Sequence, residues 1–504
     1  MNFTPSCLQE TAAVQDTGAV ETFPHTETST IFSLNVLRGI ALLSLLVISI
    51  WQFGGFTTAE QNFYRTGPHG GNYSLLTAVS ILFEGKMTAL FALVFGAGIV
   101  LFMQKKQPVL IGVPDAYIRR QLWLLIFGVF NAFILLFPGD ILYPFAIVGI
   151  LLFAFWRFSA RGLFFTALFF LLIFFGKQFW NYADDKKDYK KYLAVTLIEK
   201  RIKKDSTARA IKESVLRKKD TTLIKVEWAK NKLQDSIVKK KDTLTKKQAE
   251  EKGKWEEAVK SLRYDSAKVK ASNKAMRAGS YGKVWNHVMK QSQDKESFWL
   301  YRIGLWELGS MMLLGMALLK FGFFESRVST TKYFFISLLL FAMGLTLAWY
   351  RLHYNNIRLA DYVKYVENFS LPYDQFLPAE NMCIATGYAA LVLWLLRLNI
   401  FKWFWEILAI AGSMALTNYI LQCVICSFFF YGYGFGYFGR LEQWELYAGV
   451  LEIAMIQIVF SVLWLRYYRM GPLEWLWTCL IYKKWLPNKK QIPLADLPMT
   501  VTAS

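Results

Sequence analysis

Long apolar runs constrain this chain more than any other feature. Several exceed 18 residues with few or no charges, among them 31–54, 75–103 and 444–467. At a rise of about 1.5 Å per residue, such a run crosses a hydrocarbon core of roughly 30 Å as a helix. No water reaches that core, so each spanning segment must satisfy its own backbone hydrogen bonds, which a helix does. The expected fold is all-α: a polytopic membrane bundle of about ten transmembrane helices. The spans are 31–54, 75–103, 121–137, 141–158, 163–180, 298–319, 333–350, 381–396, 403–430 and 444–467. The first 30 residues are polar and lack a basic stretch before a short apolar core, so a cleaved signal peptide is not expected.

Charge then separates two materials. The net charge is +21, although 54% of residues are hydrophobic and 17% aromatic. The stretch 181–296 holds 32 Lys and Arg against 17 Asp and Glu, a net of +15, which leaves +6 for everything else. The chain therefore divides into a polar tail (1–30), an N-terminal membrane half (31–180), a basic insert (181–296), a C-terminal membrane half (297–468) and an interfacial tail (469–504). The insert has no proline, and apolar residues such as Leu193, Leu197 and Ile202, then Val226, Leu233 and Ile237, recur at helical spacing. Long solvated helices are expected there. They would serve either as an inert insertion or as a docking arm for an anionic envelope polymer or protein. A charge tied to so apolar a chain implies a lipid bilayer as partner and no nucleic acid.

Lys and Arg in the short connections set the orientation. Arg119 and Arg120, Arg157 and Arg161, Lys320 and Lys332, Arg397 and Lys402, and a tail with Lys483, Lys484, Lys489 and Lys490 fall on one side. Both termini are then cytoplasmic, and the insert, too long to be governed by its charge, is extracytoplasmic.

Buried charges in membrane helices are costly and mark candidate sites. Glu84, Glu307 and Glu452 each lie eight or nine residues from the same end of their spans, about 12–14 Å deep. Lys86 is the natural counter-charge to Glu84. Two residues apart on a straight helix they would point away from each other, so a break at Gly85 is expected. Asp140 follows Pro138-Gly139 as a helix cap or a site carboxylate. Asn418 and Gln422 share one helix face as polar glue or pocket lining. Arg38 sits near a cytoplasmic helix end. His69 and His353, in short outward connections, are the histidines placed to act as a base near neutral pH, with His69 favoured.

Other signals carry little. Cys423-Val-Ile-Cys426 lies within one span, too cramped for four metal ligands, so no metal or cofactor is expected. Gly434-Phe-Gly436-Tyr-Phe-Gly439 has dinucleotide-loop spacing but no strand before it, and suits a flexible loop. The Trp-rich run Gly471-Pro472-Leu-Glu474-Trp475-Leu-Trp477 reads as an interfacial anchor, with Glu474 pairing with Arg466 or Arg469.

Five segments in order carry a resemblance: Asn35-Val-Leu-Arg38-Gly39; Glu84-Gly85-Lys86 followed by Phe95-Gly96-Ala-Gly98; Pro138-Gly139-Asp140 with Tyr143; Thr417-Asn418-Tyr419 with Gln422; and Arg469-Met-Gly471-Pro472-Leu-Glu474-Trp475. Together they resemble the YeiB family of bacterial inner-membrane proteins, whose shared region is a domain of unknown function (number 418). The resemblance covers both membrane halves and leaves the 181–296 insert outside it. The family is in turn distantly similar to membrane-embedded acyltransferases that modify sugars. It implies the inner membrane and transfer of an acyl group to an envelope sugar or lipid. The buried-charge reading makes Glu84 and Lys86 the candidate catalytic residues, with His69, which no matched segment includes, as a possible base. Arg38, Asp140, Glu307, Asn418, Gln422 and Glu452 would line the pocket or hold an ion. An ion-coupled or proton-coupled transporter using the same carboxylates, and a non-catalytic envelope scaffold, are the alternatives.

Overall fold

A computed structural model describes residues 25–55, 71–104, 112–217, 244–262, 265–325 and 328–490. These residues are helical and hold no strand, only an isolated bridge between Tyr468 and Lys489. The ten expected spans fall on helical segments, but 121–137 and 141–158 are not among those long and apolar enough to cross a membrane. Among the described residues, seven helices are long and apolar enough to cross a membrane, or eight if one sharply bent pair forms a single span. The chain is a membrane protein built as an all-α bundle.

Contacts divide the chain into two compact units: residues 1–175, 265–350 and 376–504 in the first, and 176–264 with 351–375 in the second. The expected division at 181 and 296 is drawn differently, because 265–296 belongs with the membrane-type helices.

In the first unit, α1 (His25–Gly54) precedes a long apolar stretch that is interrupted as expected. Helix α2 (Gly71–Leu82) ends, three residues turn, and α3 (Lys86–Gln104) resumes. Gly85 makes the turn with φ +74°, a left-handed conformation that costs glycine little. Helices α4 (Val113–Phe133) and α5 (Leu142–Leu152) form a hairpin. After α6 (Ala160–Arg217) and α7 (Lys246–Leu262), the short α8 (Ser266–Met276) and α9 (Tyr281–Asp294) lead into a π-helical segment, Lys295–Gly304. Then follow α10 (Leu305–Lys320), α11 (Thr330–Ala360), α12 (Tyr362–Asn368) and α13 (Leu377–Arg397).

The expected span 403–430 is instead two helices, α14 (Lys402–Ser413) and α15 (Ala415–Phe430), bent by 78°. Helix α14 crosses α1 at a glycine pair. A Cβ on Gly39 would come within 2.1 Å of the Leu408 carbonyl oxygen, and one on Gly412 within 1.9 Å of the Asn35 oxygen. Small residues let the two backbones touch, the usual basis of helix association where lipid removes the hydrophobic driving force. Helix α16 (Gln443–Tyr467) and the short α17 (Pro472–Tyr482) complete the unit.

The second unit is an aromatic cluster. Tyr182 and Tyr189 of α6, Trp255 of α7, and Tyr365 and Val366 of α12 are buried together. Trp255 stacks on Tyr362 at 5.3 Å and lies 4.9 Å from Tyr189. Lys252 of α7 pairs with Glu199 of α6 at 2.5 Å. The insert thus gains its packing from tyrosines and one tryptophan, which its lysine-dominated composition obscures. Val226, Leu233 and Ile237 lie outside the described residues. The expected span 333–350 continues to Ala360, which places His353 within a helix, not in a connection.

Candidate functional site

Two polar clusters are built into the first unit. The first surrounds the α2–α3 break. Lys86 is fully buried, and its ammonium lies 2.5 Å from a carboxylate oxygen of Glu380 on α13, itself 1% exposed. Lys86 also donates to the Ser80 carbonyl at 3.1 Å. The expected Lys86–Glu84 pair is therefore replaced: Glu84 accepts instead from the Ser80 hydroxyl one turn earlier. Glu307 of α10 is drawn in through Asn381, whose amide donates to it at 3.1 Å. A Cβ on Gly85 would strike the Asn381 side chain at 2.5 Å, so the turn and the amide are fitted to each other. Glu84, Lys86 and Glu307 thus do converge, joined by Glu380 and Asn381. Glu452 does not. It is exposed on α16 beside Leu451 and Met455. His69 lies outside the described residues.

The second cluster follows α15. At its N-terminal turn, Glu474 of α17 accepts the backbone N–H groups of Leu416 (2.7 Å) and Thr417 (3.0 Å), with the Thr417 hydroxyl at 2.5 Å. A carboxylate capping freed N–H groups at a positive helix end is favourable, and here it stabilises the 78° bend. Burial raises the Glu474 carboxyl above its usual range, while the Thr417 bonds oppose the shift. The expected pairing of Glu474 with Arg466 or Arg469 is corrected: the carboxylate is occupied by the helix terminus. Arg38 of α1, which donates to Asn35 at 2.8 Å, lies within electrostatic range of both Glu474 and Arg120. Arg120 of α4 sits 5.0 Å over the ring of Trp477 and 5.2 Å over Phe102.

Further along α15, Asn418 donates to the Ala411 carbonyl (3.1 Å) and the Ser461 hydroxyl (2.8 Å), while Gln457 donates to its backbone oxygen (2.6 Å). Asn418 is therefore glue between the bend and α16. Tyr419 reaches the α4–α5 connection. Its hydroxyl donates to Asp140 at 3.2 Å and accepts the Ile141 N–H at 3.0 Å.

Asp140 is fully buried. It accepts from the Asn131 amide at 2.7 Å and the Tyr143 N–H at 2.8 Å. Asp140 thus acts as a cap: one oxygen caps α5, and the other faces two side-chain donors. Burial pushes this carboxyl up to about 6, against the pull of the Tyr143 and Asn131 bonds. A carboxyl poised there can exchange protons near neutrality.

Several buried atoms in and near this cluster lack hydrogen-bond partners among the described residues: the side-chain oxygens of Asn131, Asn418 and Gln457, the whole side-chain amide of Gln422 and both carboxylate oxygens of Glu296. Glu296, 5% exposed, opens the π-helical segment and lies within electrostatic range of Asp140 and Lys295. Buried unsatisfied polar groups are rare, and π-helical turns often accompany function.

Glu296, Glu380, Glu474 and Arg120 were not among the candidate site residues read from the sequence. Glu380 and Glu296 stand one and two residues before the apolar runs that were read as spans, where a hydropathy boundary trims a charged residue away. In the sequence Arg120 carries only the signal of an orienting charge, and Glu474 that of an anchor. The signal for Glu380 was the first helical turn Pro378-Ala-Glu380-Asn381, a proline-initiated start that moves the boundary earlier. The described residues hold no group of three or more His, Cys, Asp and Glu arranged to bind a metal ion.

Residues 318–484 match the model of a family described as a protein of unknown function (DUF418). The chain is 37% identical over 189 residues to the uncharacterized protein YeiB of Escherichia coli (strain K12), which is 34% of this chain and 43% of that protein. It is 23% identical over 468 residues to the uncharacterized protein YxaH of Bacillus subtilis (strain 168), covering 91% of this chain and 96% of the relative. A third relative is an uncharacterized 39.9 kDa protein from the amylase 3′ region of Bacillus acidopullulyticus, 30% identical over 190 residues, 35% of this chain and 53% of that protein. No solved structure matches the chain.

Proposed function

We propose that this chain, which belongs to the YeiB-like family of proteins of unknown function (DUF418), is a membrane-embedded transferase. It passes an acyl group from a donor at one end of α15 to a hydroxyl or amine of an envelope sugar or lipid. The observation that carries the reading is the charge along one helix: Arg38 and Arg120 outnumber the capping Glu474 carboxylate about its N-terminal turn, and the carboxylates Asp140 and Glu296 outnumber Lys295 beyond Tyr419. The arginines suit an anionic handle on the donor. Asp140, held by Asn131 and Tyr419, takes the proton from the acceptor as its oxygen or nitrogen bonds to the acyl carbon. The bond from that carbon to the donor then breaks, and the proton passes to the departing donor. Lys86 and Glu84 hold the α2–α3 break in shape in this scheme and do not act on substrate.

The inner membrane is the proposed location, with both termini cytoplasmic, on the strength of Arg119, Arg120, Arg397, Lys402 and the basic tail. The insert is the proposed contact for an anionic envelope polymer. The test of the transferase is the acyl content of envelope glycans and lipids, measured by mass spectrometry in a deletion strain and its complemented parent. One class of molecule should lose an acyl group on deletion; identical profiles reject the proposal.

Two broken helices favour a second reading, a transporter. Interrupted spans with charged groups at the break recur at substrate sites of secondary transporters, and both the α2–α3 and α14–α15 interruptions have this form. Flux of protons or solute in proteoliposomes that collapses on Glu84→Gln would favour it over group transfer.

A further inference from the structure

Beyond the α15 cluster and independent of acyl transfer, a cleft of about 470 Å³ is lined by Lys270, Asn273, Lys274, Arg277 and Ala278. We propose that it binds a phosphate-bearing ligand.

Lys270, Lys274 and Arg277 recur at intervals of four and three residues, so one face of α8 and its C-terminal cap presents all three cations. Among the described residues no acidic side chain lines the cleft. The carboxylate of Asp265, five residues before Lys270, is committed to the N-terminus of α8, where it accepts the N–H groups of Ala267 and Lys268. Arg277 is fixed by neutral acceptors: its Nε donates to the Phe438 carbonyl at 2.6 Å and its Nη2 to that of Gly439 at 3.1 Å. Its charge is therefore held in position without being cancelled.

The glycine-rich run 434–439 finds its purpose here. Gly439 adopts φ +63°, and a Cβ on it would meet the Asn273 amide at 2.7 Å. The Gly432 N–H donates to the Met276 carbonyl at 2.8 Å. The loop thus packs against the end of α8 and steadies Asn273 and Arg277 as donors. A phosphate group carries up to two negative charges and three strong acceptor oxygens at neutral pH, which three cations and an amide match. The volume suits a phosphorylated sugar or a lipid headgroup.

The test uses the full-length protein in a non-ionic detergent at low salt, titrated calorimetrically with inorganic phosphate and with glycerol 3-phosphate. The same protein is placed in nanodiscs of phosphatidylcholine with and without phosphatidylglycerol. Saturable binding is expected, weakened at least tenfold by K270E/K274E and also by the milder K270Q/K274Q, and changed less than twofold by K268E, an exposed lysine outside the cleft. Sensitivity in the soluble arm identifies a free phosphate ester. Sensitivity confined to phosphatidylglycerol enrichment identifies a headgroup. Binding in neither arm, or an equal loss in K268E, overturns the proposal.

Discussion

Replacing Lys86 by methionine isolates what the α2–α3 break requires. The ammonium and the Glu380 carboxylate are 2.5 Å apart and essentially inaccessible. Removing one member of such a pair leaves an uncompensated buried charge, which costs about 3–5 kcal/mol. Glu380→Leu should cost a similar amount for the same reason. The double variant removes both charges together and leaves neutral partners such as the Ser80 carbonyl, which Lys86 holds at 3.1 Å, without that donor. That deficit is about 1–3 kcal/mol. The account therefore predicts a double variant more stable than either single one, far from the roughly 6–10 kcal/mol that the singles would sum to. The assay is reversible denaturation in mixed micelles, followed by tryptophan fluorescence and read as a double-mutant cycle. Additive losses, or single variants within about 1 kcal/mol of the parent, would refute the assignment of Lys86 as a structural pin.

Further predictions follow the other contacts. Glu474→Ala removes the cap of α15 and should cost about 1–2 kcal/mol, with faster amide exchange at Leu416 and Thr417; Thr417→Val should cost less. Gly412→Ala drives a methyl into the Asn35 carbonyl, so an overpacking loss of about 1–3 kcal/mol is expected, visible as a lower melting temperature. Trp255→Ala, in a site 3% exposed, should cost about 3–5 kcal/mol locally and expose 246–262 to proteolysis. The pH profile of acyl transfer should follow Asp140, raised to about 6. Below that pH the carboxyl is protonated and cannot accept a proton, so the rate falls as pH drops; a rate constant between pH 5 and 8 would exclude Asp140 as the base.

The bundle was legible from the sequence because membrane helices advertise themselves by length and apolarity. So was the break at Gly85, since Glu84 and Lys86 could not both be accommodated on a straight helix. The bend within 403–430 was not, because Gly412-Ser-Met-Ala is as apolar as its flanks and its stabilising partner, Glu474, lies some 60 residues later in the chain. Partners set by tertiary contact stayed hidden for the same reason. Lys86 chose Glu380 over the nearer Glu84, and Glu452 shares the depth of Glu84 and Glu307 but faces out of the unit. Depth along a helix can be counted, whereas the direction of a side chain depends on how neighbouring helices pack. The fold of 176–264 with 351–375 depended on aromatic residues from two distant stretches, which periodicity within either one does not reveal.

Asp140 is proposed as the proton acceptor of an acyl transfer. That role is tested most directly by expressing Asp140→Asn in the deletion strain and quantifying the envelope acyl group by mass spectrometry. Asparagine keeps one oxygen for Asn131 and Tyr419 and turns its NH2 toward the Tyr143 N–H, so the α5 cap is lost; the inserted protein is therefore quantified alongside, and acylation per inserted molecule should fall by about 10²–10⁴-fold. Acylation at the parental level by a normally inserted Asp140→Asn protein would contradict the account.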